Sequence, residues 1–210
     1  MSIWGEMGVG KTTLALQIAF NTIQVGDSVY YFYSKPRLPL EKIESLLSTM
    51  DPNILKKLKT INLKDFNDLY RIVLDLEINF LKNKKEKNDY PKLIIIDSLT
   101  DLYRLDLNRD KKDKNVILNY KLNHLLGILA HINSNFSVDI LIINEISYIH
   151  YEDHSHEIQS GGKVMRYWIP CSLKIARSEI MNKRIIYLYK NSEIQFELLA
   201  TLSEKGFLNI

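Results

Sequence analysis

One cysteine, five prolines and eight glycines are all that this chain of 210 residues holds of the residues that staple, stiffen or loosen a backbone. The lone Cys171 excludes an internal disulfide framework and fits a reducing compartment, where it reads as a small hydrophobe at a strand start. So little glycine and proline excludes collagenous and low-complexity classes. No apolar run approaches the roughly 18 residues that a membrane-spanning helix needs. The opening MSIWGEMGVGK lacks the basic and apolar regions of a secretory signal. Neither sign of charge dominates, since 28 Lys and Arg face 25 Asp and Glu for a net +3. An anionic partner is therefore neither demanded nor excluded, and a nucleic-acid contact would need a local patch. With no repeat and no Gly/Ser linker, residues 1–210 read as one domain, soluble and cytoplasmic.

What is present is a 46% hydrophobic chain in which strand and helix patterns alternate. Ser2–Trp4 reads as a short strand entering a glycine turn, and Thr12–Val25 as a helix with Leu14, Ala15, Ile18, Ala19, Thr22 and Val25 on one face. Ser28–Tyr33 is a β-branched and aromatic run whose rings suit sheet packing. Leu40–Thr49 and Asp65–Leu81 read as helices, with Thr60–Leu63 a strand between them. Leu93–Asp97 (LIIID) and Asp139–Asn144 (DILIIN) are apolar runs of the kind buried on both faces of a parallel sheet. Val116–Ser134 lies between them as a long helix. Residues 145–163 read as an irregular loop closed by Gly161 and Gly162, and four strands follow at Lys163–Trp168, Ser172–Arg177, Arg184–Lys190 and Ile194–Leu202. The order predicts an α/β fold: a mostly parallel sheet with helices on both faces and antiparallel edge strands towards the C-terminus.

Gly5-Glu6-Met7-Gly8-Val9-Gly10-Lys11-Thr12 fits G-x-x-x-x-G-K-[ST], with a strand before it and a helix after it. Glycines let such a loop wrap phosphate oxygens with successive N–H groups at a helix N-terminus. Lys11 supplies a charge to the β- and γ-phosphates, the Thr12 hydroxyl ligates Mg²⁺, and Thr13 completes the nucleotide-binding run Gly5–Thr13. Asp97, closing an apolar strand, is the carboxylate expected to hold Mg²⁺ through water; the competing reading is a cap for the helix from Ser98 onward. ATP and Mg²⁺ are the implied cofactors.

These residues resemble the RecA-superfamily recombinases, P-loop ATPases, and among them the archaeal RadB-like paralogues. The resemblance runs through GEMGVGKTTLALQIA, LIIIDSLTDLYRLDL, LNYKLNHLLGILAHI, DILIINEISY and GGKVMRYWIPCSLKIARSE, in that order along nearly the whole chain. It implies a RecA-like ATP-binding core with an accessory role in recombination and a recombinase or other repair protein as partner. Where the family has a Glu that activates water, Lys35 stands, and no Glu or Asp lies between Asp27 and Glu41. A cationic lysine cannot accept a proton, so hydrolysis is expected to be weak or absent, with no catalytic residue assigned. The alternatives are a DNA- or partner-stimulated ATPase in which a partner subunit or Glu41 supplies the missing carboxylate, and an interaction protein that keeps only the fold. Asn144-Glu145 stands where the family has Asn-Gln, which places Glu145 either near the phosphates, weakening the coupling unless a cation intervenes, or turned to solvent. The family's upstream segment, its N-terminal domain and its Phe-x-x-Ala linker do not precede residue 1, so filament assembly by that route is not expected.

Arg104, Arg109, Lys111, Lys112 and Lys114 occupy the position of the family's first DNA-binding loop, but Asp106, Asp110 and Asp113 interleave. A phosphate contact and a solvated charged loop are both open. The second loop carries Glu152, Asp153 and Glu157, which repel a phosphate backbone, so DNA binding is expected to be weak or partner-assisted, although Tyr148 and Tyr151 could stack bases. His150, His154 and His156 have a spacing that Zn²⁺ can use, against the simpler reading of a solvated loop.

Overall fold

The fold is drawn from a computed structural model that describes residues 1–34, 51–82, 90–107, 112–150, 155–204 and 206–208. Ten strands alternate with helices: β1 (Ser2–Gly5), α1 (Lys11–Gln24), β2 (Val29–Tyr33), α2 (Pro52–Leu55), β3 (Leu58–Asn62), α3 (Phe66–Lys82), β4 (Leu93–Asp97), α4 (Leu99–Asp106), α5 (Lys112–Phe136), β5 (Asp139–His150), β6 (Ser155–Gln159), α6 (Gly162–Trp168), β7 (Cys171–Arg177), β8 (Lys183–Lys190), β9 (Glu193–Ser203) and β10 (Gly206–Leu208). The sheet runs β10-β9-β8-β7-β1-β5-β4-β2-β3, with β6 paired to β5 off this path. From β7 to β3 neighbours are parallel; β8, β9 and β10 add antiparallel beyond β7. The expected α/β architecture, parallel at its centre and antiparallel towards the C-terminus, is the observed one.

Strand alternation explains the two cores. On one face Phe32, Ile94, Ile96 and Ile142 pack with Phe66, Leu69, Val73, Leu122 and Leu125 from α3 and α5. On the other, Ile3, Tyr31, Ile95, Leu141 and Ile143 meet Leu14, Ala15, Ala19 and Ile23 of α1. Both faces of LIIID and DILIIN are thus buried, which is why those runs are continuous instead of alternating. Among the described residues no helix is long and apolar enough to cross a membrane.

Several expectations need correction. Lys163–Trp168 is not a strand: α6 starts from Gly161 at φ 95° and packs Val164, Met165 and Trp168 at helical spacing, with the Trp168 indole donating to Asn123 Oδ1 at 2.9 Å. Six residues with apolar, aromatic and basic side chains mixed, KVMRYW, cannot distinguish the two periods by themselves. Residues 145–163 are not an irregular loop either, because β5 continues to His150 and returns as β6, pairing Ile146 with Gln159 and Tyr148 with Glu157. The buried face of α1 is rotated from the expected one: Leu16, Phe20 and Ile23 are buried, whereas Val25 is 78% exposed. The long helix begins at Lys112 and ends at Phe136, wider than read, and β3 starts at Leu58. Cys171 is only half-buried. The expected helix Leu40–Thr49 lies outside the described residues.

Candidate nucleotide-binding site

Alternation along the strands decides which side chains converge. Asp97 follows Leu93 and Ile95 onto the α1 face of β4, Glu145 follows Leu141 and Ile143 onto the same face of β5, and Tyr31 lies there on β2. Above these strand ends, β1 turns through residues 6–10 into α1, so the loop caps the C-terminal edge of the parallel sheet, where α/β folds bind ligands.

The loop cannot be built without glycine. Gly5 has φ 148°, and a Cβ there would stand 2.2 Å from the Ile175 carbonyl oxygen of the neighbouring strand β7. Gly10, the N-cap of α1 at φ 106°, would drive a Cβ to 2.9 Å from the Phe207 ring. At these two turns the chain runs too close to β7 and to Phe207 for any side chain, and it delivers the loop to the N-terminus of α1, where N–H groups can receive an anion.

Lys11 is buried to 5% exposure and folds back over the loop. Its ammonium donates to Gly5 O at 2.8 Å, to Glu6 O at 2.7 Å and to Glu145 Oε2 at 2.9 Å. Glu145 is therefore not turned to solvent: its side chain is 18% exposed and ion-paired, and the cation that stands between it and the loop is Lys11. Its backbone N–H donates to Thr100 Oγ1 at 3.1 Å, which ties β5 to the first turn of α4. Thr12 and Thr13 lie in the first turn of α1, Thr13 buried and Thr12 half-buried.

Asp97 is 2% exposed and accepts a hydrogen bond from the Tyr31 hydroxyl at 2.9 Å. Burial, and then the Asp97 carboxylate beside it, push the Tyr31 hydroxyl well above its ordinary value, so it is a donor throughout the physiological range. The cap of α4 is Ser98, whose hydroxyl accepts from the Asp101 N–H at 3.2 Å, which leaves the capping alternative for Asp97 without support. Register puts Tyr33 opposite Asp97, and the Ser34 N–H donates to Asp97 O at 2.8 Å, so β2 ends beside the carboxylate. Lys35 lies outside the described residues, as does Glu41.

Three participants went unrecognised in the sequence. Tyr31 belongs to a run whose rings suit sheet packing, and only the β2–β4 pairing brings its hydroxyl onto Asp97. Thr100 supports Glu145 from another element. Arg177, at the end of β7, donates to Met7 O at 3.1 Å and lies 3.4 Å from Glu6 Oε2, so it rests on the outer rim of the loop. Asn144 points by alternation to the opposite face, fully buried, with no hydrogen-bond partner for its amide among the described residues.

The residues read as DNA contacts are divided. Arg104 sits in the last turn of α4 and Lys112 opens α5, while Arg109 and Lys111 lie outside the described residues. On the hairpin, Glu157 pairs with Lys174 of β7 at 2.6 Å, and Lys174 lies 5.4 Å from the Trp4 ring centroid. His156 pairs with Ile149 across the hairpin, while His154 and the side chain of His150 lie outside the described residues.

No protein-family model matches the chain. Three curated proteins, each named DNA repair and recombination protein RadB, are similar to it over most of its length. That of Methanobrevibacter smithii is 26% identical, over 98% of this chain and 86% of its own. That of Methanocaldococcus jannaschii is 27% identical, over 83% of this chain and 76% of its own. One from Methanococcus maripaludis is 28% identical, over 94% and 87%.

Proposed function

Starting from a chain that is RadB-like and of the RecA/RadA superfamily, we propose that it binds ATP with Mg²⁺ and acts as an accessory protein of DNA repair and recombination, with slow hydrolysis. The observation that carries the nucleotide reading is the glycine-built loop closed by buried Lys11, with Asp97 on the same face at the end of β4. The fit is sterically specific: the backbone at Gly5 and Gly10 leaves no room for a side chain, and the cation is held over the cradle and not out in solvent.

Each residue has a role in this reading. The loop N–H groups from Gly8 to Thr13 hold phosphate oxygens, Lys11 neutralises them, and Thr12 with Asp97 holds the metal. Tyr31 fixes the Asp97 carboxylate by donating to Oδ2. Bound Mg-ATP supplies charge and contacts that order the loops around it, and its γ-phosphate is the group a hydrolysing site would cleave. Lys35 in place of the expected base leaves no described carboxylate assigned to activating water, because Glu145 is paired with Lys11 and Glu6 with Arg177. DNA contact falls to Arg104 and Lys112, with Arg109 and Lys111 beside them in sequence, and is weak because the neighbouring hairpin is acidic. The names of the relatives support a role in DNA repair and recombination, and to this we add a recombinase or other repair protein as partner and a cytoplasmic site of action.

The test is retention of labelled Mg-ATP. After free nucleotide is removed, the label that stays with the native protein should remain ATP and not become ADP, and it should be absent from Lys11→Ala. Equal retention by Lys11→Ala refutes the loop as the site, no label on the native protein refutes the binding reading, and rapid conversion to ADP refutes only slow hydrolysis.

A further inference from the structure

An ammonium group has three N–H donors, and Lys11 has three acceptors at hydrogen-bond distance: Gly5 O, Glu6 O and Glu145 Oε2. The cation is fully engaged, so a phosphate oxygen gains it only by displacing one of them. Two are loop carbonyls set by the backbone. The third is a carboxylate whose negative charge remains beside the incoming anion after displacement. Glu145 has little freedom to withdraw. Its side chain is mostly buried, β5 is paired to β1 at Gly5, and its own N–H is held by Thr100.

Position decides which phosphate meets that charge. β5 lies between β1 and β4, so Glu145 stands between the loop and Asp97. A metal held by Asp97 and Thr12 would draw the terminal phosphate of a triphosphate to this side of the cradle, whereas a diphosphate would end within the loop. We propose that Glu145 is a specificity-determining residue that biases this site towards nucleoside diphosphates and against triphosphates. The inference rests on the nucleotide-binding reading and adds the preference between its ligands. Glutamine at 145 keeps the shape and an oxygen for Lys11 but removes the charge, so it should lift the bias.

The experiment is equilibrium binding of Mg-ADP and of a non-hydrolysable Mg-ATP analogue to the native protein and to Glu145→Gln, with Lys11→Ala as the negative control. The native protein should bind the analogue no more tightly than Mg-ADP. In Glu145→Gln the analogue should tighten about tenfold and Mg-ADP less than about threefold, the scale of a like-charge contact largely screened by solvent and by the Lys11 ammonium. Equal gains for both ligands would mean that Glu145 only competes for Lys11, and would overturn the selection. Weaker analogue binding that extra Mg²⁺ restores would make Glu145 a metal carboxylate and overturn it too. Binding with an unchanged ratio overturns this inference alone, whereas no binding by either protein overturns the nucleotide reading and this inference with it. Thermal melts establish that the variant is folded; should Glu145→Gln fail to fold, Glu145→Ser carries the same comparison.

Discussion

Tyr31→Phe removes one oxygen atom from the centre of the sheet. Tyr31 is fully buried, and its hydroxyl serves Asp97, itself 2% exposed, at 2.9 Å. Phenylalanine fills the same volume, so no cavity forms and the change isolates the hydrogen bond. A hydrogen bond to a charged group contributes about 1.5–3 kcal/mol, and its loss leaves a carboxylate short of a donor where water cannot replace it. Urea unfolding at pH 7 should therefore show Tyr31→Phe less stable by about 2 kcal/mol with an unchanged m-value. The pH dependence adds an independent sign. Burial raises the folded-state value of the Tyr31 hydroxyl above the unfolded one, so the unfolded chain releases this proton first. Stability from this group is complete below the unfolded value near 10 and falls as pH rises from there towards the folded value. The native protein should lose up to about 1.4 kcal/mol per pH unit more than Tyr31→Phe in that window. Tyr103, also raised by burial, titrates in both proteins and cancels in the difference. A cost below about 0.5 kcal/mol at pH 7, with parallel curves above pH 10, would refute the role given to the hydroxyl.

Gly5→Ala sets a Cβ 2.2 Å from a backbone oxygen at φ 148°, so the loop must shift. We expect a loss of about 1–3 kcal/mol in thermal or urea unfolding together with loss of Mg-ATP retention, and a native-like melt would contradict the geometry. Lys174→Met cuts the ion pair to Glu157 that ties the hairpin to β7, so amide hydrogen exchange should quicken across Ser155–Gln159 while α1 and β4 keep their protection. Uniform quickening would instead show that Lys174 supports the whole sheet.

The parallel strands and the loop were legible because their signals are local. LIIID is buried on both faces and reads so, and the phosphate-loop pattern needs only a strand before it and a helix after it. What escaped depended on partners distant in sequence. Nothing in SVYYFY distinguishes Tyr31 from Tyr30 until β4 pairs with β2 and Asp97 comes within reach. KVMRYW carries both periods at once, and the packing of Val164, Met165 and Trp168 against the other helices settled it as a turn of helix. The hairpin was missed because polar residues from Ser147 to Glu157 mask an alternation that only the pairing reveals. The orientation of Glu145 was open in the sequence, since a carboxylate is welcome in water and equally on a buried ammonium.

Strand order also governs when the loop can take shape. β1 holds residues 2–5, yet its two neighbours are β5 and β7, which come from residues 139–150 and 171–177. On a growing chain β1 is made well before both of its partners, β5 and β7, and waits for them, whereas the pairs β2–β4 and β2–β3 can close much earlier. Contacts this distant in sequence delay folding, because the entropy of closing the intervening chain is lost before the pairing compensates it. The cradle is thus among the last parts of the molecule to assemble. A nascent chain stopped before residue 171 has no β7, and therefore no Ile175 backbone for the turn at Gly5 to rest against.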